Sequence, residues 1–248
     1  MKILVIGEVC VDIFVYCTSN RLSPEAPVPV LIPNTTTMNA GMAGNTSENL
    51  IVLSPNSTIN NICQDGNTTK TRYIDKKSNH MFFRIDEGDD GIKPMKWEDQ
   101  TTNTIFKSDI VVVSDYDKGF LSDEDLISIG TNCQLSILDS KRKLTQEVVD
   151  AFTFVKLNES ESLNNPELDD SNIITTLGVR GAKYNGKIYP SLKPQKTIDV
   201  SGAGDTFTAA FILKYKETYN VEEAINYANK KSSEVVSKPG VATPLNSL

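Results

Sequence analysis

The chain opens on Lys2-Ile-Leu-Val-Ile-Gly7, an apolar run with no polar alternation. A strand buried on both faces reads this way, and such strands belong to parallel sheets covered by helices. The pattern returns from residue 109. Ile110–Ser114, Leu135–Asp139, Phe154–Asn158 and Asn172–Leu177 are short apolar runs and are predicted as strands. Between them, Ser122–Gly130 and Thr145–Phe152 have helical character, the first behind an N-cap serine and an acidic first turn. Tyr184-Asn-Gly-Lys187 carries the Asn-Gly pair of a tight hairpin. Two long helical patterns follow, Ala203–Tyr219 and Val221–Ser237, the second with Ala224, Ile225, Ala228, Val235 and Val236 on one face. Strand–helix alternation of this kind predicts an α/β fold with a parallel sheet.

Two stretches break the alternation. Phe14–Thr37 is rich in Pro, Ser and Thr and holds short β-like pieces such as Pro29–Ile32. Thr68–Asp86 alternates around a polar turn at Lys76–Asn79 and predicts a hairpin. Residues 54–69 are polar and turn-rich, and are expected to be a loop.

Composition narrows the chemistry. The 248 residues suffice for one sizeable core. A net charge of −7 argues against a nucleic-acid partner, which needs a surplus of Lys and Arg. A single histidine, His80, excludes a three-His zinc site and HExxH, and any Ser-His-Asp mechanism would rest on it alone. The four cysteines form no CxxC, and no segment approaches the ~20 apolar residues of a membrane span. These features predict a cytoplasmic protein with reduced thiols and no membrane partner.

Ligands of such sheets bind at the carboxyl ends of the strands. Those ends read Gly7-Glu8 with Asp12, Ser114-Asp115-Tyr116, Asp139, Asn158 with Glu161, and Thr176 with Gly178. They point to a site for a polar ligand. The most informative segment is Asp199-Val-Ser-Gly-Ala-Gly-Asp205-Thr-Phe, directly before a helix. Gly202, Ala203 and Gly204 let a ligand approach the backbone, and amides at a helix start form an anion hole. Asp205 in the first turn could accept a proton from a hydroxyl attacking a phosphoryl group. The same residues could also simply cap a helix, with Ser201 as N-cap. No GxxxxGK[ST] occurs, and no GxGxxG follows the first strand, so Walker-type and dinucleotide-binding proteins are disfavoured.

The Asp-x-x-Gly-Ala-Gly-Asp-Thr-Phe segment resembles the C-terminal signature of the ribokinase-like (PfkB) carbohydrate kinases. Asn158-Glu-Ser-Glu161 resembles that family's NxxE, Thr176-Leu-Gly178-Val-Arg-Gly181 its TLGxxG, and Gly41-Met-Ala-Gly44-Asn45 its sugar-binding glycine motif, with Met42 where a second glycine is usual. Arg21-Leu-Ser-Pro-Glu-Ala-Pro-Val-Pro-Val30, Thr69-Lys-Thr-Arg72, Phe83-Arg-Ile-Asp86, Ser114-Asp-Tyr-Asp-Lys-Gly119 and Leu138-Asp-Ser-Lys141 are similar to one branch, the heptose 7-phosphate kinase part of the bacterial ADP-heptose synthesis enzymes.

This resemblance implies a three-layer ribokinase-like fold with a mostly parallel central sheet, in a single domain with a small β lid from about 13–39 and 68–88. It implies Asp205 as catalytic base and Gly202–Gly204 as anion hole. Asp12, Gly41, Asn45, Arg84, Asp115 and Lys118 would bind the acceptor, a sugar phosphate, with Arg72, Arg84, Lys118 and Lys141 as candidates for its phosphate and Arg84 favoured. Asn158, Thr176, Gly178, Gly181 and Asn229 would bind ATP. Glu161 would serve Mg²⁺ through water, and Asp199 with Ser201 could hold a monovalent cation such as K⁺. The lid could join two copies in a homodimer. Two departures stand out. Residues 54–67 replace a strand–helix unit usual after Leu53, which would remove a sheet-edge strand, and Glu8 replaces the usual aspartate. No nucleotidyltransferase part is expected. Other sugars or nucleosides as acceptors, or a nucleotide binder without turnover, remain open on these residues.

Overall fold

The structure, a computed structural model, describes residues 1–192, 200–238, 240 and 242–244. The first half of the chain forms β1 (Lys2–Gly7), β2 (Val9–Thr18), β3 (Ile32–Met42), α1 (Ala43–Leu53), β4 (Thr58–Ile62), β5 (Thr69–Asp75), β6 (Met81–Glu87) and α2 (Asp99–Phe106). The second half forms β7 (Ile110–Asp115), α3 (Asp123–Thr131), β8 (Ser136–Ser140), α4 (Gln146–Ala151), β9 (Phe154–Asn158) and α5 (Glu159–Leu163). There follow β10 (Ile173–Thr176), the hairpin β11 (Ala182–Tyr184) and β12 (Lys187–Tyr189), and the helices α6 (Ala203–Thr218) and α7 (Val221–Val235).

Eight strands make one sheet in the order β12-β11-β10-β9-β8-β7-β1-β4. From β10 to β4 every pairing is parallel, and the β11–β12 hairpin adds an antiparallel edge. The apolar runs are continuous because each strand feeds two cores. Ile3 and Val5 of β1 pack with α1, α6 and α7, while Leu4 and Ile6 pack with α2, α3 and α4. This alternation is what makes three layers. Asn185 and Gly186 both take positive φ, as the Asn-Gly turn requires.

A second, four-stranded sheet has the order β3-β2-β5-β6. The hairpin expected over 68–86 is β5–β6. The expected short pieces in 14–37 are instead two long strands, paired from Val9↔Met42 to Thr18↔Ile32. Pro29 makes only an isolated bridge to Leu22, since Pro27 and Pro29 offer no N–H to a ladder.

The loop expected over residues 54–69 is corrected. Thr58–Ile62 is β4, a parallel edge strand beside β1, so this edge is retained. Its sequence, TINNI, is too polar to read as a buried strand. One edge position and two apolar anchors suffice: Ile59 packs on one core and Ile62 on the other. The order reverses at β1, whose neighbours are β4 and β7, placing the crevice of the sheet outside the carboxyl ends of β1 and β7.

Candidate active site

A cleft of about 720 Å³ opens along the carboxyl ends of β7, β8, β9 and β10. Its walls bring together Asn158, Thr176, Gly178 and Gly181 from the strand ends, Gly202–Asp205 from the start of α6, and Asn229 from α7. Tyr116, Lys141 and Lys156 also line it, and Leu177, Val179, Val200 and Val236 give it an apolar side.

The start of α6 explains its small residues. Gly202 is the N-cap with φ 77, a conformation that costs side chains but not glycine. A Cβ at Gly204 would lie 3.1 Å from Lys156 Nζ, so glycine lets that ammonium approach the helix. The Ala203 amide donates to the Val200 carbonyl at 3.3 Å, so it is partly spent in the turn. First-turn amides of a helix lack intrahelical partners, which leaves this end suited to an anion.

Asp205 is buried one residue further on. Asn45 Nδ2 donates to its Oδ2 at 2.6 Å, and the Tyr116 hydroxyl to its Oδ1 at 3.3 Å. Asn45 was expected to hold the acceptor; its amide is instead committed to Asp205. It is fixed through Asn49, whose Nδ2 donates to the Asn45 carbonyl and whose Oδ1 accepts from Thr206. Burial, with the Asp139 carboxylate nearby, pushes the Asp205 carboxyl up to about 6, against the Asn45 hydrogen bond and the charges of Lys156 and Lys141.

A chain of ion pairs runs from beside Asp205 toward Asn158. Lys156 Nζ is 2.9 Å from Asp139 Oδ2, and Thr208 donates to the same oxygen at 3.2 Å. Lys141 Nζ lies 3.3 Å from Asp139 and 2.8 Å from Glu161. Burial pushes the Asp139 carboxyl upward, but Lys156 and Lys141 outweigh it and hold it at about 2. Asn158 and Glu161 form a capping box: the Glu161 amide donates to Asn158 Oδ1 at 2.9 Å and the Asn158 amide to Glu161 Oε2 at 2.7 Å. Lys141, expected at the acceptor's phosphate, is instead held by Asp139 and Glu161 beside Asn158.

The second sheet covers the crevice with Asp12, Phe14, Lys70 and Arg72 turned inward. Gly41 leaves room for the Asp12 carboxylate, since a Cβ there would sit 2.3 Å from Asp12 Oδ2. Arg72 pairs with Asp12. Lys70, 8% exposed, has its ammonium 5.3 Å from the Tyr116 ring centre.

Three acceptor expectations do not match their surroundings. Asp115 is fully buried, and its oxygens accept from Arg142 Nε at 2.7 Å, Arg142 Nη2 at 2.9 Å and Ser140 Oγ at 2.6 Å. It anchors its loop and has nothing left for a sugar. Arg84 is 46% exposed and paired with Asp86 at 2.7 Å, and Lys118 is paired with Asp89 at 2.8 Å. Glu8 tightens the same loop: its carboxylate accepts from the amides of Tyr116, Lys118 and Phe120 at 2.9, 3.0 and 3.4 Å.

On the far wall, Asn229 donates to the Tyr189 carbonyl at 2.9 Å, tying α7 to β12. Gly181 is obligatory, because a Cβ would meet the Tyr189 carbonyl oxygen at 2.0 Å. Ser201 lies beside the N-cap; Asp199 lies outside the described residues. Among the described residues no three carboxylate, His or Cys side chains cluster as a metal cage.

Sequence reasoning passed over Lys156, Lys70 and Arg142. Lys156 did leave a signal, since a lysine inside the otherwise apolar run FVKLN demands a partner.

Residues 63–248 match the family model for pfkB family carbohydrate kinases. "Bifunctional protein HldE" of Helicobacter acinonychis is 27% identical, covering 97% of this chain and 64% of that protein. Its namesake in Escherichia coli O157:H7 is 24% identical, covering 97% of this chain and 61% of its own length. The chain thus spans about three-fifths of these curated relatives. Among solved structures, Arabidopsis thaliana ribokinase, complexed with ribose and ATP, superposes with a TM-score of 0.74 at 15% identity, over 98% of this chain and 95% of its own. Phosphofructokinase-2 from Escherichia coli, in complex with potassium, gives 0.70 at 16%, over 99% and 96%. With a family match over three-quarters of its length and a ribokinase-like architecture throughout, the chain belongs to the pfkB family of carbohydrate kinases.

Proposed function

We propose that the protein transfers the γ-phosphoryl group of ATP to a hydroxyl of a sugar phosphate, with D-glycero-β-D-manno-heptose 7-phosphate as acceptor and the 1,7-bisphosphate as product. The observation that carries the reaction is Asp205: a buried carboxylate at a helix start, held by Asn45 and Tyr116, beside two lysines and under the covering sheet. The choice of acceptor is supported by the branch motifs and by the curated relatives over nearly the whole chain.

Asp205 takes the proton as the acceptor oxygen bonds to the γ-phosphorus and the bond to the ADP oxygen breaks. A base pushed up to about 6 is mostly ionised at neutral pH yet a useful proton acceptor. Lys156, beside Gly204, offsets charge on the transferred group, and the first-turn amides orient it. Lys141 and Asn158 hold the phosphate end of the cleft, with the apolar side left for the base. Kinases of this family use ATP with a divalent metal. The residues fit Mg²⁺ carried by the nucleotide, since Glu161 is already engaged by Asn158 and Lys141 and can face the ion only through its water. When bound, the metal neutralises charge on the ATP phosphates. A K⁺ ion beside Ser201 belongs to the same reading.

The outer face of the covering sheet supports a homodimer. Val11, Met38, Phe83 and Ile85 are exposed there, and Tyr73 stacks on Phe83 at 4.7 Å. A second copy of this chain would cover them. Among the described residues no helix is long and apolar enough to cross a membrane.

The test is ADP release from Asp205→Asn with heptose 7-phosphate. A loss of about a thousandfold is expected for a general base. Turnover within tenfold of the parent would overturn the assignment. A panel of free sugars, nucleosides and sugar phosphates fixes the acceptor class.

A further inference from the structure

We infer that Lys70 recognises the anionic group of the acceptor, at the end of the sugar remote from the hydroxyl that Asp205 deprotonates. The inference rests on the sugar-phosphate kinase reading above and names the residue that enforces it.

Of the cations Lys70, Arg72, Arg84 and Lys118, which lie on or beside the covering sheet, three are spent. Arg72 is paired with Asp12, Arg84 with Asp86, and Lys118 with Asp89. Lys70 differs. It stands in register with Asp12 on β2 and Asp86 on β6, yet both carboxylates are taken by the arginines. Among the described residues its ammonium has no hydrogen bond and no ion pair; its contact is the face of Tyr116. A cation–π contact is worth about 0.5–2 kcal/mol, and it leaves the ammonium's hydrogen-bond donors free for an incoming anion. Lys70 is 8% exposed as a residue, so its stem is packed away while its accessible ammonium, with no anion beside it, is poised for one that arrives from solution.

Tyr116 supplies the geometry. Its hydroxyl donates to Asp205 and its ring face lies under Lys70. An acceptor lying along this ring places one end at the base and the other at the ammonium. A phosphate monoester at that end would form a charge-assisted hydrogen bond with Lys70, and a free sugar would not. Lys70 is thus a specificity residue, and it replaces the exposed Arg84 in that role.

The test is calorimetric titration of heptose 7-phosphate and of the free heptose into the full chain, as parent, Lys70→Met and Lys70→Arg, each checked by thermal unfolding. Lys70→Met is expected to weaken binding of the phosphorylated sugar about 10- to 150-fold, the range for losing a hydrogen bond to a charged group. The free heptose should shift less than about threefold, and Lys70→Arg should recover most of the loss. If the parent prefers the phosphorylated sugar and Lys70→Met prefers it equally, the Lys70 assignment falls while the kinase reading stands. If the parent binds both sugars equally or neither, the sugar-phosphate reading falls and takes this inference with it.

Discussion

Asp205→Asn should make the protein inactive and more stable, and the gain should depend on pH. The folded chain holds the Asp205 proton more tightly than the unfolded chain does, because burial lifts the carboxyl from 3.8 to about 6. Its contribution to stability is therefore present below pH 3.8 and is lost as pH rises through about 6. At roughly 1.4 kcal/mol per tenfold change in proton affinity, the penalty above pH 6 approaches 3 kcal/mol. Asparagine carries no charge, and its oxygen can still accept from Asn45. The variant should unfold about 6–12 °C above the parent at pH 8, and by about half that margin at pH 5. Asp139 titrates with the opposite sign, but near pH 2, outside this window. The assay is thermal unfolding from pH 5 to 8.5, beside the pH profile of turnover, which should fall on its acid side near 6. A variant no more stable than the parent, or a margin flat with pH, would refute the claim that burying this charge is costly.

Three further outcomes follow from single contacts. Gly181→Ala should lower stability by more than about 3 kcal/mol, since its Cβ would meet the Tyr189 carbonyl oxygen at 2.0 Å; denaturant titration measures it. Arg142→Ala should cost about 3–5 kcal/mol by leaving the buried Asp115 carboxylate uncompensated, with Arg142→Lys intermediate. At Met42, φ is 58, so Met42→Gly should be more stable than Met42→Ala, the reverse of the usual order. Both lose the buried side chain, but only glycine relieves a strain of about 1–3 kcal/mol.

The residues lining the cleft were legible because they lie in short contiguous segments. Asn158 and Glu161 share one turn, and Gly202–Asp205 open one helix, so local sequence fixes their spacing. The acceptor side was less legible. Asp115 and Lys118 carry suitable charges, but each meets its partner across the fold, at Arg142 and Asp89, and Arg84 is taken by Asp86 on its own strand. Arg84 and Asp86 stand only two apart, yet nothing in the spacing says that this pair forms while Lys70, flanked by two carboxylates in register, stays unpaired. The edge strand Thr58–Ile62 was hidden for a similar reason: at an edge, two isoleucines anchor a strand that its polar residues would otherwise deny.

The sequence by itself determined the layered α/β class, the buried strands, the closing helices and the anion-binding helix start, since these follow from periodicity and from local backbone demands. Tertiary structure alone decided which charges are free to act. Pairing depends on which side chains the fold brings within 4 Å, and burial decides what each unpaired charge costs. Asp205 acquires its raised pKa, and Lys70 its place over Tyr116 without an anion, only in the packed fold.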